Sequence, residues 1–283
     1  MKSKGAKVAA AFLCVGVAVS GCGSQGGTED SADVQAATDS IPSRATPAPQ
    51  VVPPLSLQGS ELALGSTEER SASVTLEESE VLINLTRIAS TDQIQRAEAI
   101  WGDEQDPSEP LALTAGSTVT ATFTTSLDLD GAAGTGIWAV VWQLIGPEAS
   151  GSWPGPPLAL TISNDSWLIG GGEGHPEGSR ESYIDTGVPF ADGRAVEWTI
   201  QVHLKRGGGA VNVWADGQQV VEGWSPPAGT MYPNQSFVIM KNGLYTGGNG
   251  GDGARTTMVV SDARAAVLPP TGVSPETSMS EGS

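Results

Sequence analysis

Segments that alternate apolar and polar residues recur along most of this chain of 283 residues. Successive side chains of a β-strand point to opposite faces of a sheet, so this period of two predicts half-buried strands. Residues 117–124 and 195–204 show the pattern most clearly, and glycine-rich loops separate many of the segments. No segment predicts a helix of more than a turn or two. Many short antiparallel strands in about 200 residues predict an all-β domain, a two-sheet antiparallel sandwich or jelly roll.

The N-terminal residues predict export. Three lysines precede a short apolar stretch at residues 8–19, as in a secretion signal. The sequence Val19-Ser20-Gly21-Cys22 that follows resembles the lipobox of bacterial lipoproteins, in which the cysteine is lipidated and becomes the mature N-terminus. We therefore expect a signal peptide at 1–21 and an extracytoplasmic protein that is anchored to a bacterial membrane by lipidated Cys22. The alternative is an ordinary cleavable signal in which the cysteine occurs by chance.

Composition divides the rest of the chain into three parts. Residues 22–67 are rich in Gly, Ser, Thr, Asp, Ala and Pro and have little apolar periodicity, which predicts a disordered tether. Residues 269–283 have the same character and predict a disordered tail. Residues 68–268 are predicted to form one domain, which we expect to be a monomer.

The chain is strongly acidic, with 14 Lys and Arg against 32 Asp and Glu and a formal net charge of −18. Loss of a signal that contains three lysines would take the mature chain to about −21. No basic face is then available to neutralise phosphates, which excludes nucleic acid as a partner. Cys22 would be the only cysteine left, which excludes an internal disulfide and a cysteine-ligated metal. With two histidines, we expect no transition metal and no cofactor; loop carboxylates leave calcium open, but no ligand spacing argues for it.

The strand predicted at residues 238–245 carries a chemically useful pair. Alternation places Lys241, Gly243 and Tyr245 on one face, so that a cation and a phenol project side by side with open space between them. Such a pair can bind an anionic ligand and move a proton. The alternative interpretation of Tyr245 is a half-buried structural tyrosine.

Four motifs follow one another along the chain. They are Gln95-Arg96-Ala97-Glu98, then Trp142-Gln143-Leu144-Ile145, then Glu197-Trp198-Thr199-Ile200 with the hairpin at 213–218, and finally Lys241-Asn242-Gly243-Leu244-Tyr245. In this order they resemble the polysaccharide lyases with a concanavalin A-like jelly roll, the heparin-lyase, glucuronan-lyase and alginate-lyase type. The resemblance extends over about residues 90–267. It implies that fold, an acidic polysaccharide as the partner, and cleavage of a uronic-acid polymer by β-elimination.

The resemblance also implies a role for each site residue. Gln143 and Arg96 would neutralise the carboxylate of the sugar acid, which stabilises the charge that develops when the C5 proton leaves. Tyr245 would be the acid that protonates the leaving oxygen, and the base as well. Lys241 would bind the sugar acid or make the Tyr245 phenol more acidic. Further substrate contacts are expected from three residues: Glu98, Trp142 and His175.

Structural alternatives stand beside these roles. Arg96 and Glu98 share a face of their strand, so a structural ion pair is an equal alternative to substrate contact. Gln143 would be costly to bury without partners, so we expect it in a solvent-filled groove. His203 is expected to point outward from its strand. Four tryptophans can stack on sugars, and we expect at least two of them in the core: Trp138, Trp142, Trp153 and Trp167.

The chain departs from the motif pattern at two positions. Ile145 replaces the histidine expected two residues after Gln143, and Ile100 replaces the second arginine expected two residues after Glu98. Tyr245 would then perform both proton transfers, or His175 would reach over from its glycine-rich loop as the base. The alternative function is a non-catalytic carbohydrate-binding surface lipoprotein on the same fold. A glycoside hydrolase ranks last because no Glu-x-Asp-x-x-Glu run is present.

Overall fold

The computed structural model describes residues 55–63, 72–76, 80–86, 95–103, 106–129, 138–146, 155–163, 165–172, 182–246 and 255–270. These residues form fifteen strands, and every strand pairing is antiparallel. Among them, no helix is long and apolar enough to cross a membrane. The strands are β1 (Leu55–Ala63), β2 (Ala72–Leu76), β3 (Glu80–Thr86), β4 (Gln95–Asp103), β5 (Asp106–Pro110), β6 (Thr118–Asp128), β7 (Trp138–Ile145), β8 (Leu158–Ser163), β9 (Ser166–Gly171), β10 (Ser182–Pro189), β11 (Val196–Lys205), β12 (Gly208–Ala215), β13 (Gln218–Trp224), β14 (Ile239–Thr246) and β15 (Arg255–Leu268).

The strands form two layers that are joined at β1. One layer, the site sheet, has the order β10-β9-β8-β7-β14-β4, and the other, the back sheet, has the order β15-β6-β11-β12-β13. β1 pairs along its length with β4, whereas its pairing with β15 has a single register pair, Leu55 with Ala265. The predicted two-sheet antiparallel jelly roll is therefore confirmed.

The hydrophobic core lies between the two layers. In β11, five alternating residues from Val196 to Leu204 are at most 1% exposed, as the period of two in the sequence predicts. Trp198 of β11 contacts Trp167 of β9 at a ring distance of 5.2 Å, so aromatic packing directly joins the two sheets. Each fully buried large apolar side chain contributes about 1.5–3 kcal/mol to folding, which suits a domain without a disulfide.

The Asp-Gly hairpin turn predicted from sequence joins β12 to β13. Both central residues have positive φ, 50° at Asp216 and 76° at Gly217, which a two-residue hairpin of this kind requires. The Asp216 carboxylate accepts a hydrogen bond from the Glu197 amide at 3.0 Å and pairs with Arg194 at 3.2 Å. The turn therefore also fixes the start of β11.

The predicted boundary of the domain is wrong at its N-terminal side. Residues 55–63 were assigned to the tether, but they form β1 and pair with β4 from Ala63 opposite Arg96 to Leu55 opposite Asp103. The prolines that argue against regular pairing end at Pro54, and the segment beyond them can donate every ladder hydrogen bond. The signal peptide, Cys22 and the tether before residue 55 lie outside the described residues, as do residues 271–283 of the tail.

We expect β1 to be required for stability. A chain that begins at residue 68 would leave the backbone edge of β4 without its partner, whereas a chain that begins at residue 51 would keep β1. The shorter chain should unfold at a lower temperature and aggregate, which circular dichroism melting and light scattering would detect. Equal melting temperatures for the two chains would show that β1 contributes nothing to the fold.

Candidate active site

β14 lies at the centre of the site, between β4 and β7. Lys241 pairs with Ile100 of β4 and Gln143 of β7, and Tyr245 pairs with Arg96 of β4. Directly opposed residues of antiparallel strands project from the same face. Their neighbours along β4 and β14, such as Ala97 and Leu244, belong instead to the core. The face opposite the core, called the site face below, therefore carries all four predicted residues: Arg96, Gln143, Lys241 and Tyr245.

A β-bulge sets the side-chain directions of β7. The register with β14 shifts between the pairs at Asn242 and Tyr245, and the register with β8 shifts between Val140 and Trp142. Strict alternation would place Trp138 and Trp142 on one face and Gln143 on the other. This shift of one residue reverses the alternation of β7, so Trp138 and Gln143 share the site face.

Trp142 corrects the sequence-based expectation of a substrate contact. Its side chain is 1% exposed and belongs to the hydrophobic core, so it faces away from Gln143. Trp167 is also 1% exposed and in the core. The expectation that at least two of the four candidate tryptophans are core residues is therefore confirmed.

A buried carboxylate organises the site face. Glu98 is 1% exposed, and its Oε1 accepts a short hydrogen bond from Gln143 Nε2. Its Oε2 lies 3.2 Å from Arg96 Nε and 3.9 Å from Lys241 Nζ. Three strands thus converge on one side chain, and we call these four residues the Glu98 cluster. The structural ion pair that was one alternative for Arg96 and Glu98 is present.

Gly243 allows Glu98 to occupy this position. Gly243 is directly opposed to Glu98, and a Cβ atom built on it would collide with the Ala97 carbonyl oxygen and with Glu98 Cα. Only glycine permits so close an approach of the two backbones. The space beside Gly243, between Lys241 and Tyr245, is therefore occupied by β4. The open space that the sequence suggested at this position is absent.

Gln143 corrects a second expectation. It is fully buried, at 0% exposure, rather than in a solvent-filled groove. Its amide nitrogen is bonded to Glu98, whereas its Oε1 has no hydrogen-bond partner among the described residues. Lys241 is likewise only 3% exposed. Gln143 and Lys241 therefore lie behind the accessible part of the site.

Three half-buried side chains form the accessible part. The Arg96 guanidinium, 22% exposed, lies over the Tyr245 ring at 4.9 Å from its centroid. On β7, Trp138 meets Tyr245 edge to face, with ring centroids 5.4 Å apart and ring planes inclined by 67°. We call this row of one cation and two aromatic rings the Arg–Tyr–Trp strip. Cation–π and edge-to-face contacts each contribute about 0.5–1.5 kcal/mol, so they hold the phenol in place.

The remaining predicted residues do not join this group. His175 and Trp153 lie outside the described residues. His203 is exposed on β11, with Nδ1 3.3 Å from Thr118 Oγ1, which agrees with an outward strand residue. Ile145, 4% exposed, pairs with Ile239 and makes this end of the site face apolar. Within the described ranges, no three His, Cys, Asp or Glu residues are grouped so that they could hold a metal ion.

Sequence reasoning missed one aromatic residue on the site face. Successive pairings from Gln143 through Ala159 and Gly170 lead to Tyr183 on β10. A Cβ atom on Gly170 would meet the Tyr183 ring, so the ring lies over that glycine. No motif marks Tyr183 in the sequence, because only the pairing of four strands shows that it shares a face with Gln143.

A cavity of about 460 Å³ shares no residue with the Glu98 cluster. It is lined by β10, by Arg194 and by the β12–β13 hairpin. The ion pair of Arg194 with Asp216 in this lining is exposed and supports the hairpin turn. Its lining offers no group of side chains comparable to the Glu98 cluster.

The antiparallel jelly roll of this chain is shared with solved polysaccharide lyases. The chain is similar to the endo-β-1,4-glucuronan lyase from the fungus Trichoderma reesei, with a TM-score of 0.54 and 14% identity over 75% of this chain and 95% of that one. It is also similar to a marine PL7 alginate lyase from Zobellia galactanivorans, with a TM-score of 0.50 and 13% identity over 73% and 84% of the two chains. No protein-family model matches the chain, and no curated protein matches it. At these identities the likeness establishes the fold.

Glu98→Gln should destabilise the domain by about 3–5 kcal/mol, because it leaves two cations beside a neutral amide at a buried position. Urea unfolding would measure this loss. Asp216→Asn is the matched control: it neutralises a carboxylate whose ion pair is exposed, so it should cost about 1 kcal/mol or less. Equal losses for the two variants would contradict the anchoring role of Glu98.

Proposed function

We propose that this protein is an exported, lipid-anchored polysaccharide lyase-like protein that cleaves a uronic-acid-containing polysaccharide by β-elimination. The observation that carries the proposal is the Arg–Tyr–Trp strip, in which the Arg96 guanidinium carbon lies 4.9 Å from the Tyr245 ring centroid on the site face. The jelly-roll fold that the chain shares with the glucuronan and alginate lyases named above supports it.

β-Elimination needs a cation and a proton carrier that can reach the same sugar. The C5 proton of a uronate becomes acidic when its carboxylate is neutralised, because the charge that develops is then stabilised. A base removes that proton, the electron pair forms the C4–C5 double bond, and the C4–oxygen bond breaks. An acid protonates the leaving oxygen. Arg96 would pair with the carboxylate, and Tyr245 would transfer both protons on one side of the sugar ring.

The Glu98 cluster would position Arg96 for this task. A guanidinium has five N–H donors in a fixed plane, and the contact with Glu98 is made through Nε, at the base of that plane. This ion pair keeps the Nε side of the guanidinium beside Glu98. Lys241 and Gln143 each contact Glu98, so they would act through the carboxylate. In this proposal Gln143 supports Arg96 rather than contacting the sugar acid itself.

The second candidate is a non-catalytic carbohydrate-binding lipoprotein on the same fold. The burial of Gln143 and its bond to Glu98 favour it, because a buried amide does not reach a sugar carboxylate. The apolar Ile145, in place of the histidine of the lyase motif, favours it as well. A purely binding site would still use the Arg–Tyr–Trp strip, but it would not need the Tyr245 hydroxyl as a proton carrier.

We expect the purified protein to release unsaturated uronate products from at least one of glucuronan, alginate, heparin and hyaluronan. The ultraviolet absorbance of these products measures the reaction directly. Tyr245→Phe should lower the rate by about a hundredfold or more, because it removes only the hydroxyl that moves the protons. Tyr183→Phe is the matched control, since it removes a hydroxyl from another half-buried tyrosine of the same sheet face.

Two results would overturn the lyase proposal. One is the absence of unsaturated product from all four polymers while oligosaccharide binding is measurable and survives in Tyr245→Phe, which would establish the binding protein instead. The other is lyase activity that Tyr245→Phe retains in full, which would assign the proton transfers to another residue.

The membrane anchor is proposed from the sequence of residues 1–22, and Cys22 carries it. Expressed in a bacterial host, the full chain should sediment with membranes and incorporate a labelled fatty acid. Cys22→Ser should lose the label and remain uncleaved, because the lipid-dependent processing needs the thiol. Secretion of unlabelled wild-type protein into the medium would instead indicate an ordinary signal.

A further inference from the structure

Trp138 is the member of the Arg–Tyr–Trp strip that the proposed reaction does not use. Its half-buried position is unlike that of Trp101, Trp142, Trp167 and Trp198, all of which are at most 1% exposed and serve the core. The β7 bulge turns Trp138 onto the site face, beside Tyr245 and on the side away from Arg96. A large aromatic side chain left at the surface beside a reactive phenol is a natural surface for a ligand.

We propose that Trp138 is a sugar-stacking residue, which receives the sugar next to the scissile linkage on the side opposite to the uronate held by Arg96. The choice of an acidic oligosaccharide as the ligand rests on the proposed function. The position of the subsite rests on the strip itself, whose two contacts measure 4.9 Å and 5.4 Å.

The arrangement of the strip assigns different tasks to its two ends. Arg96 covers one face of the Tyr245 ring, so that face is not available for a sugar. The Trp138 ring is inclined by 67° to the Tyr245 ring and forms a corner with it rather than a continuous flat surface. A sugar that stacks on Trp138 therefore presents its linkage oxygen toward the phenol. The chain would run from Arg96 across Tyr245 to Trp138.

Trp138 is also held in place before any ligand arrives. Its carbonyl oxygen accepts a hydrogen bond from Thr246 Oγ1 at 2.6 Å, and its ring is braced by Tyr245. Pre-organised side chains lose little conformational freedom on binding, which increases affinity.

An uncharged stacking surface suits this acidic protein. The formal net charge of −18 repels a polyuronate, and the attraction of Arg96 for a carboxylate is weakened by salt. Stacking on an indole depends on neither the net charge nor the ionic strength. The contribution of Trp138 to affinity should therefore persist in high salt, whereas that of Arg96 should fall.

The test is a binding measurement on the full chain, which needs no turnover. Glucuronate and mannuronate tetrasaccharides are titrated and followed by tryptophan fluorescence and by calorimetry. Trp138→Ala should weaken binding by roughly tenfold and abolish most of the fluorescence change. Trp138→Tyr, which keeps an aromatic ring, should bind within about threefold of wild type. Trp224→Ala is the matched control, because Trp224 is half-buried on β13 of the back sheet.

Salt and kinetics separate stacking from a merely structural role. The ratio of the Trp138→Ala and wild-type dissociation constants should be the same in low and high salt. If the protein turns over a polymer, Trp138→Ala should raise KM more than it lowers kcat. Wild-type affinity in Trp138→Ala would overturn the proposal. If kcat is also lowered in that variant, Trp138 is instead a positioning residue for Tyr245.

Failure of the lyase proposal can be told apart from failure of this one. Oligosaccharide binding that depends on Trp138 without unsaturated product would leave the stacking subsite standing and remove the enzyme. Formation of unsaturated product, with an oligosaccharide affinity that Trp138→Ala does not change, would support the enzyme and remove the stacking subsite. No binding of either tetrasaccharide by the wild-type protein would overturn the subsite.

Discussion

The structure around the candidate site depends on one buried carboxylate. Glu98 sits at 1% exposure, where an ionised group is costly unless other groups compensate for the water it has lost. Its partners Arg96, Gln143 and Lys241 come from three adjacent strands. A slip of one residue in any of these strands would turn its polar group into the core. The carboxylate therefore ties the register of β4, β7 and β14 to the geometry of the site.

The accessible chemistry is built on that buried network. Arg96 is held by Glu98 on one side and lies over Tyr245 on the other, and Tyr245 in turn meets Trp138. The order of dependence runs from the buried Glu98 carboxylate outward to the half-buried Trp138 ring. In a chain with a formal net charge of −18, this places a cation and two aromatic rings on the site face, where an acidic sugar chain can be recognised by local contacts rather than by the overall field.

The two functional proposals differ in what they ask of the same side chains. A lyase needs a proton carrier beside a cation, and the pair Tyr245 and Arg96 meets that need. A binding protein needs only the surface, and the buried Gln143 and the apolar Ile145 are compatible with it. The low identity to the solved lyases leaves this choice to the site itself, because a shared jelly roll accommodates more than one activity.

Local pattern in the sequence was sufficient for most of the strands and for the fold class, and the family resemblance supplied the grouping of four site residues. Alternation in β11 predicted its buried face, the Asp-Gly pair predicted its hairpin, and the motif order predicted that Arg96, Gln143, Lys241 and Tyr245 share a sheet face. The buried face and the hairpin follow from the period of two and from turn chemistry, which are properties of neighbouring residues.

Tertiary structure alone decided what is exposed and which way the tryptophans point. β1 was missed because its pairing partner, β4, lies more than thirty residues away in the sequence, and no local signal announces that pairing. The β7 bulge moved Trp142 into the core and Trp138 onto the site face, and the two-fold alternation of the sequence contains no mark of the extra residue. Gln143 was expected in a groove. Instead, the close approach of β14 and β4 at Gly243 places Glu98 at the centre of the cluster, where its carboxylate accepts a hydrogen bond from Gln143. A sequence specifies which side chains can interact, but their burial depends on how distant strands pack, and that packing decided which of these residues reach the surface.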